Sequence, residues 1–264
     1  KARWLGLPIA ELSTLQRVLI VGSFLRKDHP LFAQRIRQAA RRGAQVHAIH
    51  AGADDWLLPV ATRLNAAPSG WLQALVDVAA AVAKARGVAA PWAGQPGAEA
   101  RAIAESLLAG ERKAVLLGNA AAQHPQAGAL LAVANWIGEQ TGASVGYLTE
   151  AANSVGAQLV GALPGAGGLD AGRMLAEPLK AYLLLHTEPV LDAADPAAAA
   201  DALRGAGMVV ALTSFRDAAA DVADVMLPIA PFTETSGTFV NAEGRVQGFH
   251  GVVKPLGETR PAWK

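Results

Sequence analysis

Apolar and polar positions in this chain alternate between two periods. The unbroken run Val18-Leu19-Ile20-Val21 follows Arg17 and ends at Gly22. After Asp28-His29-Pro30 the spacing changes to four, with Phe32, Ile36 and Ala40 on one face of a helix predicted over residues 31–42. Gly43 stops that helix, and the next strand is Gln45–His50. A strand–helix–strand unit of this kind joins parallel strands by a right-handed crossover. The pattern returns at residues 113–119, followed by His124-Pro125, a helix carrying Leu130, Val133, Ala134 and Ile137, and Gly142. It returns again at residues 181–186, followed by Glu188-Pro189, a helix after Asp195-Pro196 and a strand over 208–212. Apolar strands alternating with helices predict an α/β fold of mostly parallel sheets flanked by helices on both faces.

Other elements lie between these copies. Ser69 is positioned to cap a long helix over residues 70–86, whose apolar stripe is Trp71, Leu75, Val78 and Val82. Residues 87–97, with Pro91 and Pro96, read as a loop or hinge, and residues 98–110 as another helix. Residues 153–168 hold five glycines and Pro164 and read as a long irregular segment. Val225-Met226-Leu227 is a short strand stopped by Pro228. Residues 238–241 and 245–247 flank Ala242-Glu243-Gly244 and predict a small C-terminal β-hairpin. The expected organisation is one α/β body over residues 1–264, with soft boundaries near 90 and 170.

Composition narrows the function classes. The 264 residues are 52% hydrophobic and 17% charged, with a formal net charge of +1. That is enough for a substantial core and lacks the basic excess of a nucleic-acid binder. Arg35, Arg37, Arg41 and Arg42 do cluster, either as the solvated face of a helix or as a phosphate-binding patch. There is no cysteine, which excludes a disulfide framework, a zinc–thiolate site and an iron–sulfur cluster ligated within these residues. No apolar run is long enough to cross a bilayer, so direct membrane insertion is not expected. The chain begins without Met, and Arg260-Pro261-Ala262-Trp263 reads as a helix start. The expectation is therefore a piece of a longer protein.

Candidate chemistry gathers at strand ends. Gly22-Ser23 and Gly118-Asn119 each end a strand before a helix, where open α/β sheets bind nucleotide phosphates. Neither has the Gly-x-Gly-x-x-Gly or Walker spacing, so ordinary strand–helix turns are the competing reading. Asp54-Asp55 and Glu188 also follow strands, where a carboxylate binds a ribose or guanine edge, or simply caps a helix. Gly165-Ala166-Gly167-Gly168 reads as a flexible surface loop. His29 and His124 precede prolines, His47 and His50 point to opposite faces of one strand, His186 ends a strand and His250 lies past the hairpin. They form no ligand cluster, so no metal site is expected. No catalytic triad pattern is present and no catalytic residue is expected. Glu234 and Glu243 read as structural.

The stretch Asp224-Val225-Met226-Leu227-Pro228, then Glu234-Thr235-Ser236-Gly237-Thr238-Phe239-Val240-Asn241-Ala242-Glu243-Gly244-Arg245-Val246-Gln247, resembles the molybdopterin oxidoreductase superfamily. Residues 249–263, and 147–168 beginning Tyr147-Leu148-Thr149-Glu150, make it look closest to one branch, the large peripheral-arm subunit of bacterial proton-pumping NADH:quinone oxidoreductase, complex I. The superfamily's fold cradles a pterin–guanine dinucleotide. Here Val21-Gly22-Ser23-Phe24-Leu25 lacks the family's Asn-Pro, and Leu185-His186-Thr187-Glu188-Pro189 lacks its glycine and asparagine. The resemblance therefore implies a cofactor-free scaffold and interaction domain without a catalytic centre. Gly22, Ser23, Asp54, Gly118, Asn119 and Glu188 would be vestiges of the cofactor site. It further implies iron–sulfur clusters in an N-terminal segment of the parent subunit, other peripheral-arm subunits as partners, and a place on the cytoplasmic side of the bacterial inner membrane. The alternative is a part of a formate-dehydrogenase-like enzyme that binds molybdopterin guanine dinucleotide through those six residues.

Overall fold

Val18 and Ile20 point one way from the first strand, Leu19 and Val21 point the other way, and all four are sealed from solvent. A period of two on a run with no polar interruption requires a layer on each side of the sheet. The computed structural model of the protein describes residues 3–217 and 219–264. It divides into two compact units, residues 1–159 with 240–245, and residues 160–239 with 246–264. Residue 90, one expected soft boundary, lies within the first of these.

In chain order the first unit contains β1 (Arg17–Val21), α1 (Leu25–Asp28), α2 (Pro30–Arg41), β2 (Gln45–His50), β3 (Thr62–Asn65), α3 (Trp71–Arg86), α4 (Ala98–Leu108), β4 (Lys113–Leu117), α5 (Asn119–Ala122), α6 (Ala127–Thr141), β5 (Ser144–Tyr147) and α7 (Ser154–Leu159). The five strands form one parallel sheet in the order β3-β2-β1-β4-β5. On one face Leu19, Val21, Ile49, Val115 and Leu117 pack against α3, α4 and α6. Trp71, Leu75, Val78 and Val82 of α3 are all buried there, as are Leu130, Val133, Ala134 and Ile137 of α6. On the other face Val18, Ile20, Val46, Ala48, Ala114 and Leu116 meet Ile36 and Ala40 of α2, the 3₁₀ turn Ile9–Ser13 and Trp56. Residues 240–245 complete this second core. Ala242 is buried in it, its carbonyl accepts from Leu5 N at 2.8 Å, and Glu243 Oε2 accepts from Ile9 N at 2.7 Å. That backbone bond holds the Glu243 carboxyl below its ordinary pKa.

The second unit contains α8 (Ala171–Ala176), β6 (Ala181–Leu185), α9 (Pro189–Asp192), α10 (Pro196–Arg204), β7 (Met208–Thr213) and β8 (Val225–Pro228), then β9 (Gly237–Val240) and β10 (Val246–Phe249), which flank the 240–245 tip. The strands β6-β7-β8 are parallel neighbours in that order. Tyr182, Leu184, Val209 and Ala211 pack on Ala202 and Leu203 of α10, while the alternate residues Leu183 and Leu185 are exposed. Asp195 caps α10 through Ala198 N, as the Asp-Pro start implies. The hairpin forms where expected, with Gly244 at a φ of 85° and Asn241 N bonded to Arg245 O.

Three local expectations are corrected. Ser69 does not cap α3: it sits inside the 3₁₀ turn Pro68–Gly70, and the helix starts at Trp71 without a side-chain cap. The 153–168 segment is not wholly irregular, because α7 forms there with Val155 buried beneath it. Two strands, β3 and β5, escaped notice. Thr62-Arg63-Leu64-Asn65 and Ser144-Val145-Gly146-Tyr147 are edge strands that carry polar residues or glycine, so their apolar period is weak. Among the described residues no helix is long and apolar enough to cross a membrane.

His47 lies on β2 beside Leu19, only 2% exposed, with neither ring nitrogen hydrogen-bonded. Burial, reinforced by the Arg17 charge, lowers its pKa from 6.5 to about 4. Between those values the unfolded chain takes up a proton that the folded chain refuses. Stability is therefore full above 6.5 and is lost as pH falls through about 4. The loss attributable to this group is on the order of 3 kcal/mol, at about 1.4 kcal/mol per pKa unit. Urea unfolding of the wild type and of His47→Leu as a function of pH checks this, and the substitution is expected to flatten the slope in that window.

Candidate functional site

The strand order of the five-stranded sheet reverses between β1 and β4, because the chain runs outward through β2 and β3 and then returns to the other side of β1. The strand ends at such a reversal are where open α/β sheets receive a ligand's phosphates, provided the backbone there is open. In this protein the gap is closed by the chain itself. Gly22 has a φ of 65°, and a Cβ on it would lie 2.7 Å from Ala121 N and 2.8 Å from the Trp71 ring. A Cβ on Gly118 would collide with the Ser23 side chain and lie 2.6 Å from Gly22 O. Two backbone N–H groups at these turns are already bonded within the protein. Gly118 N donates to Val21 O at 2.8 Å, and Ala120 N donates to Gly22 O at 3.1 Å.

Trp71 fills the space above Gly22 and is itself held on several sides. Its Nε1 donates to Ala66 O at 3.0 Å. Its ring stacks on His50, with centroids 6.3 Å apart and planes 21° apart, and tilts against His124 at 6.1 Å. His50 also meets the edge of Trp56 at 6.1 Å and Phe24 at 6.4 Å, and its Nε2 lies 3.2 Å from Asp54 Oδ2. His124 Nδ1 accepts from Gln126 N, so Nε2 carries the proton and donates to Pro68 O at 3.0 Å. Arg26 covers the Phe24 face at 5.4 Å, and Arg63 covers Trp56 at 5.3 Å. His29 is buried close by against Phe32, and burial lowers its pKa against the opposing pull of Asp28 and Glu150. The result is a plug of aromatic and imidazole rings at the carboxyl end of the sheet.

The structure brings some of the sequence candidates together and separates others. Gly22, Ser23 and Gly118 are in direct contact. Ser23 is buried, and its hydroxyl donates to Asp28 Oδ2 at 3.4 Å, so it faces no open space. Asn119 follows Gly118, with Oδ1 withdrawn from solvent and without a hydrogen-bond partner. Asp54 is engaged by His50, and Asp55 Oδ1 accepts from Leu57 N. Glu188 belongs to the second unit, in the turn after β6. That turn repeats the one after β1. Asp28 accepts from Phe24 N, and Asp192 accepts from Glu188 N, each at 2.8 Å. Where the first turn has Gly22, the second has His186 in the same left-handed region, at a φ of 50°. Among the described residues no group of three or more His, Asp or Glu side chains is placed to hold a metal.

Sequence reasoning missed the plug. It read Trp71 only as part of an apolar stripe and took the histidines one at a time. The available signal was position: His50 ends β2, Trp56 lies in the connection after it, His124 lies in the connection after β4, and Asp54 lies four residues after His50.

Comparison with known proteins supplies the lineage. The family model described as molybdopterin oxidoreductase matches residues 1–264. The chain is 31% identical over 275 aligned residues to a subunit of the NADH-quinone oxidoreductase of Mycobacterium bovis, covering 96% of this chain and 32% of that protein. It is 32% identical over 282 residues to the corresponding NADH-quinone oxidoreductase subunit from Streptomyces coelicolor, covering 97% of this chain and 32% of that one. The chain thus spans about a third of the length of these curated relatives. Among solved structures, acetylene hydratase from Pelobacter acetylenicus superposes with a TM-score of 0.68 at 14% identity, over 96% of this chain and 46% of that one. At that identity the likeness concerns the fold alone.

Because Trp71 is almost fully buried and packed on all sides, Trp71→Ala should cost about 3–5 kcal/mol of stability, the usual range for losing a buried aromatic. Denaturant unfolding measures it. A loss under about 1 kcal/mol would mean that the ring is held loosely and the plug is not packed.

Proposed function

The chain belongs to the molybdopterin oxidoreductase family, and we propose that within it these residues form a cofactor-free scaffold and docking domain of the large subunit of a bacterial NADH:quinone oxidoreductase. The observation that carries this reading is the closed crevice. A pterin–guanine dinucleotide needs bare backbone at the strand ends, and here Trp71 and Ala121 fill the space over Gly22 while Ser23 abuts Gly118. The His186 side chain at the equivalent turn after β6 adds a Cβ where close approach would require glycine. The residues present do not fit that group, so no chemical step is assigned to it here.

In this reading the relatives' name gives the parent assembly. Electrons from NADH travel to quinone through iron–sulfur clusters held elsewhere in the parent subunit. This domain supports the cluster-bearing part and contacts neighbouring subunits of the peripheral arm, on the cytoplasmic side of the membrane. Its contribution is shape and rigidity, which two continuous cores on either face of one sheet supply.

Metal analysis combined with pterin fluorescence on the purified full-length protein tests the proposal. The expected result is iron without molybdenum, tungsten or an oxidised pterin signal. Stoichiometric molybdenum with a pterin would replace this reading with a dinucleotide-binding enzyme of the formate dehydrogenase kind.

A further inference from the structure

The opposite, amino-terminal end of the five-stranded sheet carries a cavity of about 310 Å³. Ser13, Gln16, Arg17, Arg42 and Arg112 are among its lining residues. Three arginines thus line one small space. Among the described residues no carboxylate lies within 4.0 Å of any of them, since the ion pairs present involve other side chains. The arrangement is held in place. Gln16 Oε1 accepts from Glu111 N at 2.7 Å and Arg112 N at 3.3 Å. Arg112 Nε donates to Thr14 O at 2.7 Å, and Arg17 Nη1 donates to Gln16 O at 2.8 Å.

Two donors remain unused. Ser13 is 9% exposed and its Oγ has no partner, and Arg17 Nε is likewise buried and unpaired. Leaving such groups unmatched is costly, and both atoms are withdrawn from solvent in residues that line the cavity. The local excess of positive charge is felt by neighbours: Lys113 is held below its ordinary pKa by burial and then by Arg17. The carboxyl end of α2 favours a cation at Arg42, and the backbone bonds of Arg17 and Arg112 leave their remaining guanidinium nitrogens without a carboxylate partner.

We propose that this cavity is a binding site for a multiply charged oxyanion, the phosphate or diphosphate group of a small phosphorylated ligand. Guanidinium forks bind phosphate oxygens in pairs, and three of them match a charge of two or more better than a single carboxylate. The volume suits a phosphate-sized group at the small end of ligand pockets. The site lies at the far end of the strands from the closed crevice, so it is independent of any vestige of a pterin cradle.

Calorimetric titration of the protein with pyrophosphate tests the assignment, with Arg42→Gln and Arg112→Gln as variants and Arg37→Gln, on the exposed side of α2, as the control. The expected result is one site per chain, weakened about tenfold or more by each of the first two changes and unmoved by the third. Should Arg112→Gln unfold the protein through loss of its bond to Thr14, the exposed Arg42 carries the test alone. Absence of binding at millimolar pyrophosphate would overturn the proposal. So would an equal loss in Arg37→Gln, which would mean diffuse surface attraction. Citrate binding as tightly as pyrophosphate would overturn the phosphate assignment.

Discussion

The approach of two turns, the one after β1 and the one after β4, sets the character of the carboxyl end of the first unit. Gly22 and Gly118 let the backbones come close enough for Gly118 N to bond Val21 O and Ala120 N to bond Gly22 O. In an α/β sheet built to hold a nucleotide, bare glycines at this place leave room for phosphate oxygens. Here the same glycines leave room for protein. Trp71 descends from the start of α3 onto Gly22, where His50 stacks on the ring, His124 tilts against it and its Nε1 donates to Ala66 O, while Trp56 backs His50 edge-on. Glycine at a phosphate-binding position is therefore compatible with two opposite uses, and only the neighbours distinguish them.

This explains how far the sequence could be read. The strands β1, β4, β6 and β7 were legible because each is a short, mostly apolar run that ends at a turn, and β2 because it follows the Gly43 stop of α2. Helices α2, α3 and α6 were legible because Ile36 and Ala40, Leu75 and Val78, and Leu130 and Val133 keep helical spacing on a face that is in fact buried. The edge strands β3 and β5 were not, because Arg63 and Gly146 interrupt any period and their pairing depends on neighbours distant in sequence. Ser69 failed as a cap because Pro68 begins a 3₁₀ turn that delays the helix to Trp71. At the site, the sheet topology puts Gly22, Ser23 and Gly118 in contact. Their surroundings were not legible, since Trp71 reaches Gly22 from an element some fifty residues away in the chain.

The two ends of the sheet contrast in charge and openness. At the carboxyl end, rings crowd the turns and Asp54 is engaged by His50, while Asn119 Oδ1, His50 Nδ1 and Trp56 Nε1 are buried without a partner. At the amino end, Arg17, Arg42 and Arg112 surround a cavity without a carboxylate within 4.0 Å among the described residues. A fold that closes its crevice while keeping uncompensated arginines at the other end holds binding capacity in a different place. The turn after β6 follows the same logic as the crevice: it keeps the Asp192 bond that shapes it and carries His186 in a backbone region that glycine normally fills.

The most direct test of the closed crevice is an experimental density map of the full-length protein at side-chain resolution, read at the Gly22–Gly118 contact. The expected map shows the Trp71 indole against Gly22, stacked on His50, with continuous protein density between the two turns. Density for a pterin or nucleotide wedged between the turns, with the indole swung away, would contradict it.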